Sequence, residues 1–184
     1  MFKKIVVMCV AALLACAGVV AEDDGGSDPG VLSPGEWTTD LTVNGRKVWS
    51  KWSAPKGAGW NCTYDSKAKS FTLTLLSPTE YTIGGKLTGR AMDKNAKVTK
   101  IETGKVNISQ SSTVTFDNLT VTGRVDDAAV AIKDGKLVTI VLKGKNEITP
   151  GEGGCAIPLS IPRKATLTIT GGEADSLNVH GRCE

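Results

Sequence analysis

Short runs of threonine and apolar residues recur along the second half of the chain. Thr113–Phe116, Thr139–Leu142 and Thr166–Ile169 carry nearly the same phrase, a threonine followed by β-branched and other apolar side chains. The runs begin at positions 113, 139 and 166, so the step between them is nearly constant. A period of roughly 20–50 residues is typical of repeat architectures. Runs of about 4–6 residues bounded by turn formers predict strands rather than helices.

Two companion segments follow the same period. Residues 118–123 correspond to 146–151 and 176–181, and Ala129–Ile132 corresponds to Cys155–Pro158 at the same step that separates Thr113 from Thr139. The glycine, asparagine and aspartate residues between the runs are turn formers. Three short strands per repeat predict an all-β fold, a parallel β-helix in which each repeat forms one rung. A β-sandwich is the alternative, but it gives no reason for a sequence period.

An earlier, diverged copy of the phrase sets the expected number of rungs. Phe71–Leu75 reads as a strand, but the step from Thr72 to Thr113 is much longer than one period, so the period fails there. Either this rung carries an insertion, or Lys86–Ile108 contributes strands that the pattern does not align. We therefore predict a small solenoid of about four rungs.

The last rung is predicted to be open. Within Thr166–Thr170, alternation places Leu167 and Ile169 inward and the three threonines outward. Because the phrase does not recur after Thr170, this rung has no predicted neighbour on one side. An unpaired strand edge can pair with another chain, so we predict self-association through the open C-terminal rung.

The first residues predict export. Two lysines precede an apolar stretch, Ile5–Leu14, which is too short to span a bilayer and is typical of a signal peptide. One interpretation is an export signal over residues 1–21; the other is a lipoprotein signal over residues 1–15, with lipidation of Cys16. Both interpretations predict an exported protein, either secreted or held at the cell surface as an outer-membrane lipoprotein. A lipid anchor would be its membrane contact.

The rest of the chain divides into a linker and one domain. Residues 22–36 are acidic and rich in glycine and proline, with too little apolar surface to fold alone, so they predict a flexible tether. Residues 37–184 are predicted to form the β-helix domain, with a cap over residues 37–70. The total of 184 residues fits about one domain.

Net charge argues against a nucleic-acid partner. The formal charge is +3, and from Glu22 onward 20 basic residues face 19 acidic ones, which leaves +1. Binding to nucleic acid needs a clustered basic face. The stretch Lys86–Lys105 is locally basic, and a run of solvated turns explains it. A contact surface for an anionic polymer is the alternative interpretation.

Three cysteines fall within the predicted domain. Cys155 and Cys183 are separated by approximately one repeat, so they are expected on adjacent rungs. Export permits disulfides, and we predict a bridge between them, with two stacked free thiols as the alternative. Cys62 is left over. The chain has no CxxC spacing and a single histidine, His180, so no metal site is predicted.

Catalytic residues are hard to assemble from this sequence. A catalytic triad needs a base, and His180 stands alone in a predicted turn. Asp126, Asp127 and Asp134 with Arg124 resemble the acidic, calcium-binding centre of pectate-lyase-like β-helices, but turns between strands explain them equally well. We therefore predict a protein that is not an enzyme and needs no cofactor; a polysaccharide lyase or hydrolase is the third and least favoured interpretation. Structural calcium held by oxygen-rich turns is an alternative.

Aromatic residues concentrate ahead of the repeats, at Trp37, Trp49, Trp52, Trp60 and Tyr64. Flat rings stack on the C–H faces of sugars, so Trp49, Trp52, Trp60 and Tyr64 are candidate carbohydrate-binding residues. The alternative is a hydrophobic cap over the first rung, which is the preferred interpretation for Trp60 and Tyr64. Trp49 and Trp52 lie in a lysine- and serine-rich run and are the better candidates for a binding platform.

Four segments form a recognisable series: Leu41–Gly45, Gly59–Asp65, Lys69–Leu75 and Leu137–Thr149. By pattern, residues 41–170 resemble the bacterial carbohydrate-binding-domain-containing surface proteins. The resemblance implies a right-handed parallel β-helix, and some members bind cellulose or pectic polymers with Ca²⁺ in the rungs. It implies an exported, non-catalytic protein whose partner is a polysaccharide or cell-surface glycan. The alternative is a structural or adhesive surface protein without a sugar site.

Overall fold

The computed structural model describes residues 31–125, 127–151 and 158–181. The described residues all belong to one compact unit. The predicted export signal, the lipidation of Cys16 and the Cys155–Cys183 disulfide lie outside the described residues. These three remain predictions.

Fourteen strands and one 3₁₀ turn (Ser50–Trp52) make up the described secondary structure. The strands are β1 (Trp37–Val43), β2 (Arg46–Trp49), β3 (Trp60–Asp65), β4 (Ser70–Leu75), β5 (Glu80–Met92), β6 (Val98–Ile101), β7 (Thr103–Ile108), β8 (Ser112–Thr122), β9 (Val130–Ile132), β10 (Leu137–Lys143), β11 (Lys145–Thr149), β12 (Leu159–Ser160), β13 (Thr166–Thr170) and β14 (Ser176–Val179).

Parallel pairing stacks these strands into four rungs. One sheet runs in the order β4-β7-β9-β12, and the other runs β5-β8-β10-β13, with every pair parallel. The second half of β8 pairs with β11, and β11 pairs with β14, both in parallel, and these strands form a third face. The prediction of an all-β parallel solenoid of about four rungs is therefore confirmed.

The register agrees with the sequence period in part. Thr113 pairs with Thr139 as predicted, and Val121 pairs with Ile148. Thr139, however, pairs with Thr168, whereas the sequence alignment placed it opposite Thr166. A shift of two residues keeps every side chain on its face. The alternation of apolar and polar residues therefore gives no signal that distinguishes the two registers.

The earlier rung differs from the sequence alignment. Phe71–Leu75 forms β4, which pairs with β7 in the first sheet, whereas Thr113 belongs to β8 in the second. The long step from Thr72 to Thr113 therefore compared strands on different faces. The first-rung partner of Val114 is Tyr81 of β5. The sequence left two interpretations of this rung, an insertion or additional strands within Lys86–Ile108. The structure has additional strands there, so the second interpretation is correct.

Inward residues stack in register through the rungs and build the core. On the second face Tyr81, Val114 and Ile140 are aligned and buried, and Ile169 continues the column with 44% of its surface exposed. The side predicted for Ile169 is correct. Its burial is incomplete because no described strand covers the outer side of the fourth rung.

Antiparallel strands cover the first rung. β1 pairs with β5, β2 pairs with β1, and β3 pairs with β4. Trp37 is buried, with its ring centroid 5.4 Å from that of Phe71, so the predicted N-terminal aromatic cap is present. Leu32 is also buried, and the Gly35 N–H donates to the carbonyl of Met92 at 2.9 Å. The folded unit therefore begins before residue 37, and the predicted tether loses residues 31–36.

Candidate functional site

The four candidate carbohydrate-binding aromatics divide into two groups. Trp60 is 4% exposed and belongs to the core cluster, so its ring has no free face for a ligand. Tyr64 is partly buried, and its ring centroid lies 5.5 Å from that of Phe71. Partial burial, with a smaller contribution from Asp65, raises the pKa of the Tyr64 hydroxyl. The cap interpretation therefore accounts for Trp60 and for one side of Tyr64.

Trp49 and Trp52 lie on the outermost strand of the second sheet and on the 3₁₀ turn that follows it, and both are only partly buried. The ammonium group of Lys51 lies 5.1 Å from the Trp49 ring centroid, and the Arg46 guanidinium lies 5.3 Å from that of Trp52. These are cation–π distances. Each of the two rings therefore has a cationic side chain over it.

Trp49 belongs to a row of residues that crosses four antiparallel strands. Trp49 of β2 pairs with Thr38 of β1, Thr38 pairs with Arg90 of β5, and Arg90 pairs with Lys100 of β6. Directly opposite residues of antiparallel strands lie on the same face of a sheet. Arg90 and Lys100 are exposed, so this face points toward solvent.

A groove of about 360 Å³ lies along the part of this row formed by Thr38, Arg90 and Lys100, and Trp49 lies next to Thr38 at its end of the row. We call it the cross-strand groove; it is lined by Thr38, Asp40, Thr88, Gly89, Arg90, Val98 and Lys100. Thr88 donates a hydrogen bond to the Asp40 carboxylate at 2.9 Å. A Cβ atom at Gly89 would overlap the carbonyl oxygen of Thr38, so the close approach of β1 to β5 requires glycine at that position. The volume lies within the usual range of small-ligand sites.

The Thr38 hydroxyl stands out within this groove. Thr38 is 4% exposed, and its Oγ1 atom has no hydrogen-bond partner among the described residues. A buried hydroxyl without a partner costs free energy, and such groups are few in native proteins.

A second groove, of about 500 Å³, lies beside Tyr64. Its lining includes Glu36, Lys69, Lys94 and Lys97. The Glu36 carboxylate is also 3.7 Å from the ammonium of Lys51, the residue that covers Trp49. Glu36 therefore lines the Tyr64 groove and also forms an ion pair with the lysine beside Trp49.

The locally basic stretch of the sequence does not form one surface. Arg90 and Lys100 line the cross-strand groove, whereas Lys94 and Lys97 follow β5 in the connection to β6. Lys105 lies on the first sheet, where its ammonium is 2.6 Å from the Asp127 carboxylate. Lys100 pairs with Glu102, which raises the pKa of the lysine.

The acidic residues considered for calcium or catalysis are held in separate turns. Asp127 binds Lys105 and accepts the Ala128 N–H, while Asp134 accepts the Lys164 N–H at 3.3 Å. Asp126 lies outside the described residues. Among the described part of the chain, no cluster of three or more histidine, cysteine, aspartate or glutamate side chains is arranged to hold a metal.

Comparisons of the chain with protein-family models, curated proteins and solved structures found no match. The resemblance to carbohydrate-binding surface proteins therefore stays a prediction. Within the described ranges, no helix has the length and apolar character needed to cross a membrane.

Proposed function

We propose that this protein is an exported, non-catalytic polysaccharide-binding protein whose ligand contacts Trp49 and Trp52. One observation carries the proposal. Trp37 and Trp60 are buried in the core, whereas Trp49 and Trp52, on adjoining elements, are only partly buried. Large aromatic side chains usually contribute their area to cores and interfaces. The exposed parts of Trp49 and Trp52 are therefore available for a partner, beside the Lys51 and Arg46 side chains that lie over the rings.

The position of the rings supports binding of a polymer. Trp49 ends a strand that pairs with β1, and β1 pairs with the long strand β5, so the backbone beneath the ring is held by the sheet. Sites on strands hold side chains more rigidly than sites on loops. An open sheet face also lets a long chain pass across it without threading through a pocket.

A glycan array with the wild type and the Trp49→Ala/Trp52→Ala double variant tests the proposal. The wild type should bind at least one polysaccharide, and the double variant should lose most of that binding. Leu137→Ala is the matched control, because Leu137 is 65% exposed in the third rung and its loss also removes apolar surface. Absence of glycan binding, or equal binding by the double variant, would contradict the proposal.

A structural or adhesive role is the second candidate, and the fourth rung favours it. Ile161, Ile169 and Val179 are 46%, 44% and 44% exposed. Among the described strands, β13 pairs only with β10 and β14 only with β11. Unpaired strand edges can pair with the strands of a second copy of this chain, and the exposed apolar side chains beside them would then be buried in the interface.

Light scattering over a range of protein concentrations tests this second role. The wild type should form dimers as concentration rises, and Ile169→Lys/Val179→Lys should stay monomeric. Leu76→Lys/Val125→Lys is the control, since both residues are exposed but lie outside the fourth rung. A strict monomer at high concentration would exclude self-association through this edge.

A further inference from the structure

We propose that the cross-strand groove binds the acidic group of an anionic polysaccharide while Trp49 contacts the sugar ring. This inference rests on the proposed polysaccharide-binding function and names the ligand class. It assigns roles to three residues that the aromatic pattern does not include: Thr38, Arg90 and Lys100.

The arrangement of the row is the first support. An aromatic ring, a hydroxyl and two cations lie opposite one another on four adjacent strands, on one face of the sheet. At about 4.8 Å per strand the row extends over roughly 14 Å. A sugar polymer that crosses the strands would meet the ring at one end and the cations at the other.

The charges in the groove favour an anion at the end formed by Arg90 and Lys100. Arg90 makes no ion pair with a described residue, and a guanidinium presents a planar fork that matches carboxylate and sulfate oxygens. Lys100 already forms an ion pair with Glu102. Asp40 lies in the same groove, where its carboxylate is held by Thr88. Its negative charge disfavours an acidic group beside it.

The Thr38 hydroxyl is an independent second observation. It is buried in the lining of the groove and lacks a hydrogen-bond partner among the described residues. A sugar hydroxyl or carboxylate that binds in the groove beside Thr38 and Arg90 would supply the missing partner. Binding would then recover a hydrogen bond that the free protein lacks.

Two pairs of polymers separate charge from sugar shape. Alginate and its fully esterified propylene glycol derivative share a backbone, and only alginate carries free carboxylates; dextran sulfate and dextran differ in sulfate in the same way. Affinity is measured by gel electrophoresis of the full chain through each polymer. We expect alginate or dextran sulfate to retard the protein more strongly than its neutral counterpart, with retardation reduced by added salt. The pair that shows the difference identifies carboxylate or sulfate as the preferred group.

Variants locate the site. Arg90→Gln/Lys100→Gln should weaken binding to the acidic polymer about tenfold and leave binding to the neutral polymer unchanged. Lys133→Gln/Lys164→Gln is the matched control, because it removes the same amount of charge from exposed positions away from the groove. Lys133 lies in the connection from β9 to β10, and Lys164 lies in the connection from β12 to β13. Thr38→Val should weaken binding to the acidic polymer without lowering thermal stability. A purely structural role for Thr38 would lower stability instead.

The outcomes distinguish the inference from the function on which it rests. If the acidic and neutral polymers bind equally through Trp49 and Trp52, the polysaccharide function stands and the anionic ligand is excluded. If the charge-matched control loses as much affinity as Arg90→Gln/Lys100→Gln, the cross-strand groove is excluded. Double-stranded DNA that binds as tightly as the acidic polymer would overturn the inference in favour of general polyanion binding. A protein that binds no polymer in either pair overturns it as well, and the glycan array then decides the wider function.

Discussion

Asn146 lies where β10 turns into β11, and its side chain joins three rungs. Its side-chain oxygen, Oδ1, accepts a hydrogen bond from the Leu119 N–H of the second rung at 2.8 Å. Its side-chain nitrogen, Nδ2, donates to the Ser176 backbone carbonyl of the fourth rung at 3.2 Å. The residue is 1% exposed. At the residue scale, this side chain satisfies backbone groups that neighbouring rungs leave unpaired at the corner.

We predict that Asn146→Ala lowers the free energy of unfolding by about 3 kcal/mol, because it leaves buried backbone groups without partners. Urea denaturation followed by circular dichroism measures the change. Asn178→Ala, an exposed asparagine on β14, should cost less than about 0.5 kcal/mol. Equal effects of the two substitutions would show that the corner hydrogen bonds do not stabilise the fold.

Cys62 is a second residue whose chemistry is set by its position. Its side chain is buried on β3, opposite Leu73, and burial raises the pKa of the thiol to about 12. The thiolate is the reactive form. We predict that iodoacetamide at about pH 8 leaves Cys62 unmodified in the folded protein and modifies it fully in urea. Peptide mapping by mass spectrometry separates this cysteine from the others, and rapid native labelling would contradict its burial.

At the scale of elements, contacts between faces depend on small residues. Gly104 of β7 pairs with Phe71 of β4, and a Cβ atom at Gly104 would overlap the side chain of Leu87 on β5. Glycine here lets one sheet pack directly against the other across the interior. Glycine is required here for steric reasons and not for backbone conformation, because Gly104 does not have a positive φ angle.

We predict that Gly104→Ala destabilises the protein by about 1–3 kcal/mol through overpacking. Leu87→Ala creates a cavity and should cost about 2–5 kcal/mol by itself. The double variant should cost less than the sum, since the new methyl group occupies space that Leu87 vacates. Thermal and urea unfolding of the four proteins form a double-mutant cycle. Strict additivity would show that the two positions do not meet.

The connection between β13 and β14 is tied to the rung before it by Asp175. Its carboxylate accepts the Gly144 N–H and the Gly172 N–H, each at 2.7 Å. These two bonds hold the pKa of Asp175 below its ordinary value of 3.8. A carboxyl with a lowered pKa in the folded state contributes stability above its unfolded pKa. That contribution is lost as pH falls from 3.8 through the folded pKa.

We therefore predict that Asp175→Asn destabilises the protein at about pH 7, and that its difference from the wild type shrinks toward about pH 3. Urea denaturation at several pH values measures this difference. Glu173→Gln is the control in the same turn, because its carboxylate makes no hydrogen bond with a described residue; it should preserve the acid-side fall of the wild type. A difference that does not vary with pH would contradict the role of Asp175.

At the scale of the whole molecule, the two ends of the solenoid are finished differently. The first rung is covered by β1, β2 and β3, which bury Trp37 and Trp60. The inward column Val121, Ile148 and Val179 is 0%, 1% and 44% exposed, so burial falls at the fourth rung. Since each rung contacts mainly its neighbours, stability should follow the same gradient.

We predict that amide hydrogen exchange is slowest in β8, which has parallel neighbours on both sides, and fastest in β13 and β14. Mass spectrometry of peptic fragments at low protein concentration measures the rates. Raising the concentration should slow exchange in β13 and β14 if a second copy covers them, while β8 stays unchanged. Uniform protection in all four rungs at low concentration would contradict the gradient.

The class of fold follows from the amino-acid sequence alone. A sequence period equal to one rung and the alternation within each run were sufficient to predict an all-β solenoid. Leu167 and Ile169 also lie on the predicted inward side, in register with Val138 and Ile140. The reason is that side chains of a strand alternate with period two. A slip of two residues, such as the pairing of Thr139 with Thr168, preserves the face and leaves the core intact.

Which residues lie beside one another depends instead on how the strands are ordered in the folded chain. The sequence favoured a cap for Trp60 and a platform for Trp49 and Trp52, but the extent of burial is a property of the folded chain: Trp37 and Trp60 enter the core, while Trp49 and Trp52 are only partly buried. Likewise Trp49, Thr38, Arg90 and Lys100 are distant in sequence and form one row through antiparallel pairing. Local pattern sets which way a side chain points from its strand, whereas the order of strands in the sheet sets what lies beside it.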